Sequence, residues 1–271
     1  RSSRPALHQL AAELVDRDLA AGRAPRAASI AAAVELLSSP DVTLRKVAAS
    51  LLARVPSGFD AEHVAAALHR ESDGGVAAQL LLIASRSGDV RAALAASAPR
   101  WTARWLGDKQ AGEACMDAIR MLIVDDAVGR ETTQLAASHL ERLSDDEMGV
   151  ASSRLLLAVD PLAGRERLYR LLRSDAAAGR LAAARSLAEY PGHTAELMKA
   201  AERHSDSQPE LFIAAAESVR LYKPTPEHLA RLEAITVTDE GLRQAVLASV
   251  RAAITDAERP ESPASQDDGD S

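Results

Sequence analysis

An all-α fold made of repeated helix pairs is what this sequence predicts, and three observations carry the expectation. Aspartates recur at Asp41, Asp73, Asp108, Asp145, Asp175, Asp206 and Asp239, at gaps of 30 to 37 residues. Nearly every one is followed by an apolar or small residue both three and seven positions on, offsets that share one face of a helix. The three-residue offset holds Leu44, Val76, Ala111, Met148, Ala178, Pro209 and Leu242; the seven-residue offset holds Ala48, Leu80, Cys115, Ser152, Ala182, Ile213 and Val246. Runs rich in Val, Ile, Thr and aromatics are missing, and no segment alternates with period two for long, so strands have little to form from.

The elements follow in order. A helix over roughly residues 4–20, then the turn GRAPR at 22–26, is expected to cap the open end. From residue 27 to 255 helix pairs succeed one another. The aspartates mark the start of each second helix, where a carboxylate accepts from unpaired backbone amides and complements the positive end of the dipole. Upstream lie first helices such as AASIAAAVELL at 27, AEHVAAALHRE at 61, PLAGRERLYRLL at 161, HTAELMKAAERH at 193 and PEHLARLEAIT at 226. Thr225 and Pro226 suit a cap and a first-turn position, and Ser144 with Glu147 has capping-box spacing. The linkers within a pair are short, which suits antiparallel neighbours. From Asp256 to Ser271 apolar residues nearly vanish while acids, serines and prolines accumulate; this tail is expected to be disordered because it cannot repay its ordering entropy.

Composition sets the packing and narrows the partners. Hydrophobic residues are 47% of the 271-residue chain but aromatics only 3%, so Ala and Leu must fill the core and helices must approach closely. Of the net charge of −7, the tail holds −5, with six acids against one arginine. The nearly neutral body argues against a nucleic-acid binder working by bulk electrostatics. No apolar run approaches the ~20 residues needed to span a bilayer, and no signal-peptide pattern opens the chain. The expected location is cytoplasmic. Because the first residue is Arg1, a processed form or a piece of a longer protein is expected.

The stretches DVTLRKVAASLL from Asp41 and DEGLRQAVLASV from Asp239 resemble the HEAT-repeat family, whose second helix opens with an aspartate, a Val-Arg or similar pair and spaced alanines. RLAAARSL at 180–187 is similar with a one-residue shift. The position of Arg45 and Arg243 is held by Ala77, Gly112, Gly149 and Glu210 in other units. The resemblance covers about residues 27–255. It implies a right-handed α-solenoid of about seven HEAT-like (armadillo-type) helix pairs, with second helices lining the concave side. Tetratricopeptide and ankyrin signatures are absent.

No phosphate loop, dinucleotide fingerprint, HExxH or CxxC is present, so no cofactor and no metal site is expected. HEAT-like iron hydroxylases use His-Glu dyads, and none of the seven histidines precedes a glutamate. His63, His69, His139, His193, His204 and His228 are expected to be solvated or to lie at boundaries. The single Cys115 is expected to be a buried bystander. Trp101 and Trp105 in WTARWLGD, with Asp108, support an enzymatic alternative, since HEAT-like alkylpurine DNA glycosylases use tryptophans, an aspartate and basic residues in a cleft. The competing reading is core packing, with Asp108 capping a helix. A regulatory partner of a cofactor-handling lyase is a further alternative.

Arg54, Arg86, Arg120, Arg154, Arg185, Arg220 and Arg251 recur at gaps of 31 to 35 residues, once per second helix. They are the candidate partner-binding strip, gripping carboxylates of a protein or peptide partner, possibly acidic, by forked hydrogen bonds. The leading expectation is therefore a non-catalytic interaction scaffold, not an enzyme. Alanine and arginine richness suggests a GC-rich bacterial genome, and the acidic DDGD at 267–270 is a second candidate occupant of the strip.

Overall fold

The computed structural model describes residues 27–55, 57–222 and 224–258, with Arg17, Ala20 and Ala21 besides. Most of the expected cap at 1–26, and the tail from 259 onward, lie outside the described residues. Among the described residues all regular structure is helical. In chain order come α1 (Ala27–Leu36), packed on α2 (Val42–Leu52), and α3 (Ala61–Arg70), packed on α4 (Gly74–Arg86). Next come α5 (Gly88–Ala95) and α6 (Ala98–Trp105), both in contact with the following α7 (Gly112–Val124). Then come α8 (Arg130–Arg142) and α9 (Val150–Val159), and α10 (Pro161–Leu171) and α11 (Ala177–Leu187). The last four are α12 (Thr194–His204), α13 (Pro209–Tyr222), α14 (Pro226–Ala234) and α15 (Glu240–Glu258). Helix α15 runs three residues into the segment read as tail.

The chain forms two compact units. One comprises the residues up to Ser144 with Ala151–Arg165, the other Asp145–Val150 with the chain from Glu166 onward. In the first unit the second helices α2, α4 and α7 pack in succession, and in the other row α3 packs on α5 and α6 on α8. In the second unit α11, α13 and α15 pack in succession, and α13 also contacts α12 and α14.

Four of the seven aspartates bind backbone amides at or before a helix start. Asp41 accepts from Thr43 N at 2.8 Å, Asp73 from Val76 N at 2.9 Å and Asp239 from Leu242 N at 2.9 Å. Asp108 accepts from Gln110 N and Ala111 N at 2.8 and 2.9 Å, just ahead of α7. After Asp145, Asp175 and Asp206 the helices begin only at Val150, Ala177 and Pro209, and the N-cap of α11 is Ala176, which offers no side-chain acceptor. First helices use the same device: Asp60 caps α3, Asp160 accepts from Leu162 N and Ala163 N, and Thr225 accepts from His228 N with Pro226 in the first turn. Ser144 precedes a turn over 145–147 that ends at Glu147, and the next helix opens only at Val150.

The seven-residue offset finds the core better than the three-residue one. Ala48, Leu80, Cys115, Ser152 and Ala182 are buried, whereas Ile213 and Val246 are partly exposed. At the three-residue offset Val76, Ala111 and Met148 are buried, but Ala178 is exposed. Helix α11 starts close behind Asp175, so its inward face shifts by one residue and takes Gly179 and Arg180 instead.

Gly179 shows how closely this alanine-rich core packs. A Cβ there would overlap the backbone carbonyl of Asp145, which cannot swing aside as a side chain could. Gly179→Ala is expected to destabilise the second unit by about 1–3 kcal/mol through overpacking, read as a lower urea midpoint; an unchanged midpoint contradicts the close approach. Burial likewise governs Cys115 in α7, which is fully buried and whose thiol is pushed far above its ordinary range by desolvation. The native protein is expected to leave it unlabelled by a thiol reagent at pH 8 and to label fully in denaturant, because the thiolate is the reactive form.

Candidate interaction surface

Hydrogen bonds between neighbouring pairs recur at the spacing of the repeat. Arg70 reaches Ser38, Arg86 reaches the Ala53 carbonyl, Ser205 donates to the Thr236 carbonyl and Arg231 bonds Glu202, over separations of 29 to 33 residues. These bonds tie α1 and α2 to α3 and α4 in the first unit, and α12 to the segment around α14 in the second.

Four arginines act as clips. Arg45 forks onto Glu71, Nε to Oε2 at 2.9 Å and Nη2 to Oε1 at 3.0 Å, while Nη1 donates to the carbonyls of Ser39 and Pro40 at 3.0 and 3.1 Å. Arg91 joins Asp125 at 2.6 Å to the carbonyls of Ala84 and Ser85. Arg180 joins Gln208 at 2.6 Å to the Ser174 carbonyl at 2.6 Å. Arg243 binds the carbonyls of Ile235 and Glu233 and the Glu240 carboxylate. In three of these the bonded carbonyl belongs to a serine six residues upstream: Ser39, Ser85 and Ser174. Arg91 lies in the additional helix α5, outside the aspartate rhythm, and a Ser-x5-Arg spacing is the signal that finds it.

The candidate strip divides between the two units. In the first, Arg54 is exposed in the turn after α2, and Arg86 is exposed at the end of α4. Nη1 of Arg86 donates to the Ala53 carbonyl at 3.0 Å, which brings Arg86 beside the backbone next to Arg54. Arg120 in α7 is half-buried, 3.7 Å from Asp117 of its own helix. The Arg120 Nε and Asp117 Oδ1 atoms are buried with no hydrogen-bond partner. Arg154 in α9 is also half-buried. In the second unit Arg185, Arg220 and Arg251 are exposed; Arg220 lies 3.9 Å from Glu217 and Arg251 bonds Glu233 at 2.6 Å. Carboxylates of the chain thus already accompany Arg120, Arg220 and Arg251, making the rows mixed in charge.

Trp101 and Trp105 are buried, and Trp101 Nε1 donates to the Leu94 carbonyl at 3.2 Å. With Asp108 capping the approach to α7, all three residues have structural partners or core positions. Five histidines are exposed or intermediate, as expected, but His193 is buried, with Nδ1 2.7 Å from the Tyr169 hydroxyl. It heads α12, and Tyr169 of α10 closes over it edge-on. Burial, followed by the nearby Arg142, lowers the His139 pKa; burial, then Arg180 and Arg203, lowers that of His204. Among the described residues no group of three His, Cys, Asp or Glu could hold a metal ion. No helix among them is long and apolar enough to cross a membrane.

Comparison of the chain with family models, with curated proteins and with solved structures finds no match.

Proposed function

We propose that the chain is a HEAT-like α-solenoid that works as a non-catalytic interaction scaffold, holding an extended, acidic segment of a partner protein against its rows of second helices. The observation that carries this reading is the order of packing: α2, α4 and α7 in one unit, and α11, α13 and α15 in the other, contact one another in succession. Stacked units of this kind present a long surface in place of a deep pocket. Arg54, Arg86 and Arg185 stand exposed at the ends of such helices, where a guanidinium can fork onto a carboxylate. The carboxylates beside Arg120, Arg220 and Arg251 would be displaced or bridged by the incoming acid. The burial of Trp101 and Trp105 supports the scaffold reading over that of a glycosylase.

The test is a comparison of partner capture from the native cell by the intact chain and by a variant with Arg120, Arg154 and Arg185 all replaced by alanine. The variant is expected to lose at least tenfold in affinity for a partner retained by the intact chain. Undiminished capture overturns the proposal. Duplex DNA serves as the control: its binding is expected to be weak, without the steep salt slope that phosphate neutralisation produces.

A further inference from the structure

A second cationic site lies away from the strip, on the row of first helices in the second unit. Helix α12 presents Glu196, Lys199, Ala200 and Arg203 at helical spacing along one stripe, and Tyr169 of α10, with Leu172 and Arg173 just after it, faces that stripe across a cavity of about 210 Å³. Leu172 and Ala200 are buried and form an apolar floor, while Arg173, Lys199 and Arg203 are exposed around the rim. Their in-chain partners are few. Arg173 uses only Nε, donated to the Tyr169 carbonyl at 2.9 Å, which leaves both Nη groups for the cavity. Lys199 holds Glu196 at 2.6 Å. No hydrogen bond or ion pair engages Arg203 among the described residues.

Three cations against one carboxylate leave this cavity with a charge of +2. Cations lining one cavity repel one another unless an anion joins them, and the negative end of α10 is already answered by Arg173 Nε. We propose that Arg173, Lys199 and Arg203 form a binding site for a phosphate monoester. A single carboxylate would leave the site positive, whereas a phosphate monoester carries about −1.5 to −2 at neutral pH and offers three acceptor oxygens, enough for two guanidinium groups and an ammonium. The cavity exceeds a bare phosphate, so the group attached to it, a peptide backbone or a small sugar, rests on Leu172 and Ala200 beside the Tyr169 ring. The inference stands apart from the scaffold reading, since none of these residues belongs to the strip.

The experiment titrates the isotope-labelled full chain with inorganic phosphate, a phosphoserine pentapeptide, its unphosphorylated form and ribose 5-phosphate, at constant ionic strength set with chloride. The backbone amides of Leu172, Arg173, Ala200 and Arg203 are expected to shift saturably with the three phosphorylated probes and not with the plain peptide. Arg173→Gln with Arg203→Gln is expected to weaken binding at least tenfold while the far-UV circular dichroism stays unchanged, because both side chains are exposed. Arg203→Gln alone provides the same readout, with a smaller loss, if the double variant is impaired in folding. Tighter binding of the phosphopeptide identifies a phosphorylated protein segment as the source, and tighter binding of the sugar phosphate a small metabolite; either supports the site. Shifts that never saturate, that spread equally over Arg54 and Arg86, or that persist in the variants overturn it.

Discussion

Replacing Phe212 with alanine is expected to cost the second unit about 3–5 kcal/mol, the range for emptying a buried aromatic site. Phe212 is fully buried in α13, the helix that contacts α11, α12, α14 and α15. The chain has only two phenylalanines, and the residues three and four on from this one, which share its face of α13, are Ala215 and Ala216. Side chains that short cannot reach into the void, so the site has little means of collapsing. Urea unfolding followed by the near-UV signal of Tyr169, Tyr190 and Tyr222, all of the second unit, reads the effect directly. A midpoint falling by less than the equivalent of about 1 kcal/mol would show that the cavity closes and that α13 is not the hub its contacts indicate.

Removing the Glu71 carboxylate is the second large effect. Its side chain is 2% exposed and that of Arg45 17%, so Glu71→Ala leaves a mostly buried guanidinium without its fork and frees the amides of Ser72 and Asp73 that the same carboxylate holds. Loss of one partner of a buried pair costs about 3–5 kcal/mol; with Arg45 still touching water and bonded to two carbonyls, about 2–3 kcal/mol is expected here. Arg45→Met with Glu71→Met is expected to cost less than the sum of the single changes, giving a coupling of about 1 kcal/mol or more in a double-mutant cycle. Additive costs would mean that the fork contributes nothing beyond its parts.

The same pair predicts a pH dependence. Burial pushes the Glu71 pKa up, but the Arg45 bond and the Ser72 and Asp73 amides outweigh it, and the folded value lies below the ordinary 4.5. A depressed carboxylate stabilises the fold fully above the unfolded pKa and loses that contribution as pH falls through the lower folded one. Stability is therefore expected to be flat in this respect at neutral pH and to drop below about pH 4.5, with a shallower drop in Glu71→Gln.

Several features were legible in the residues. The aspartate beat marked the starts near Asp41, Asp73, Asp108 and Asp239, where the carboxylate caps backbone amides, but not those after Asp145, Asp175 and Asp206, which begin without that cap. Thr225 with Pro226, and the burial of Cys115, followed from the same local geometry. What eluded the sequence depends on partners about a repeat away. Arg45 and Arg54 are alike in composition, yet one is clipped to Glu71 and the other is exposed in a turn. His193 is indistinguishable from the other histidines until Tyr169 is placed on it. The cavity beside Tyr169 is lined by residues within 169–173 and by α12, which only the fold brings together.

The residues alone determined an all-helical chain, its paired rhythm and the inward face of most second helices, since hydrogen bonds four residues apart and a 3.6-residue turn fix these within each segment. Only the tertiary structure decided which arginines are clips and which are exposed, why Gly179 must lack a side chain, and that the helices gather into two units. Those outcomes turn on which backbone carbonyls and carboxylates the neighbouring pair delivers, and no single helix carries that information.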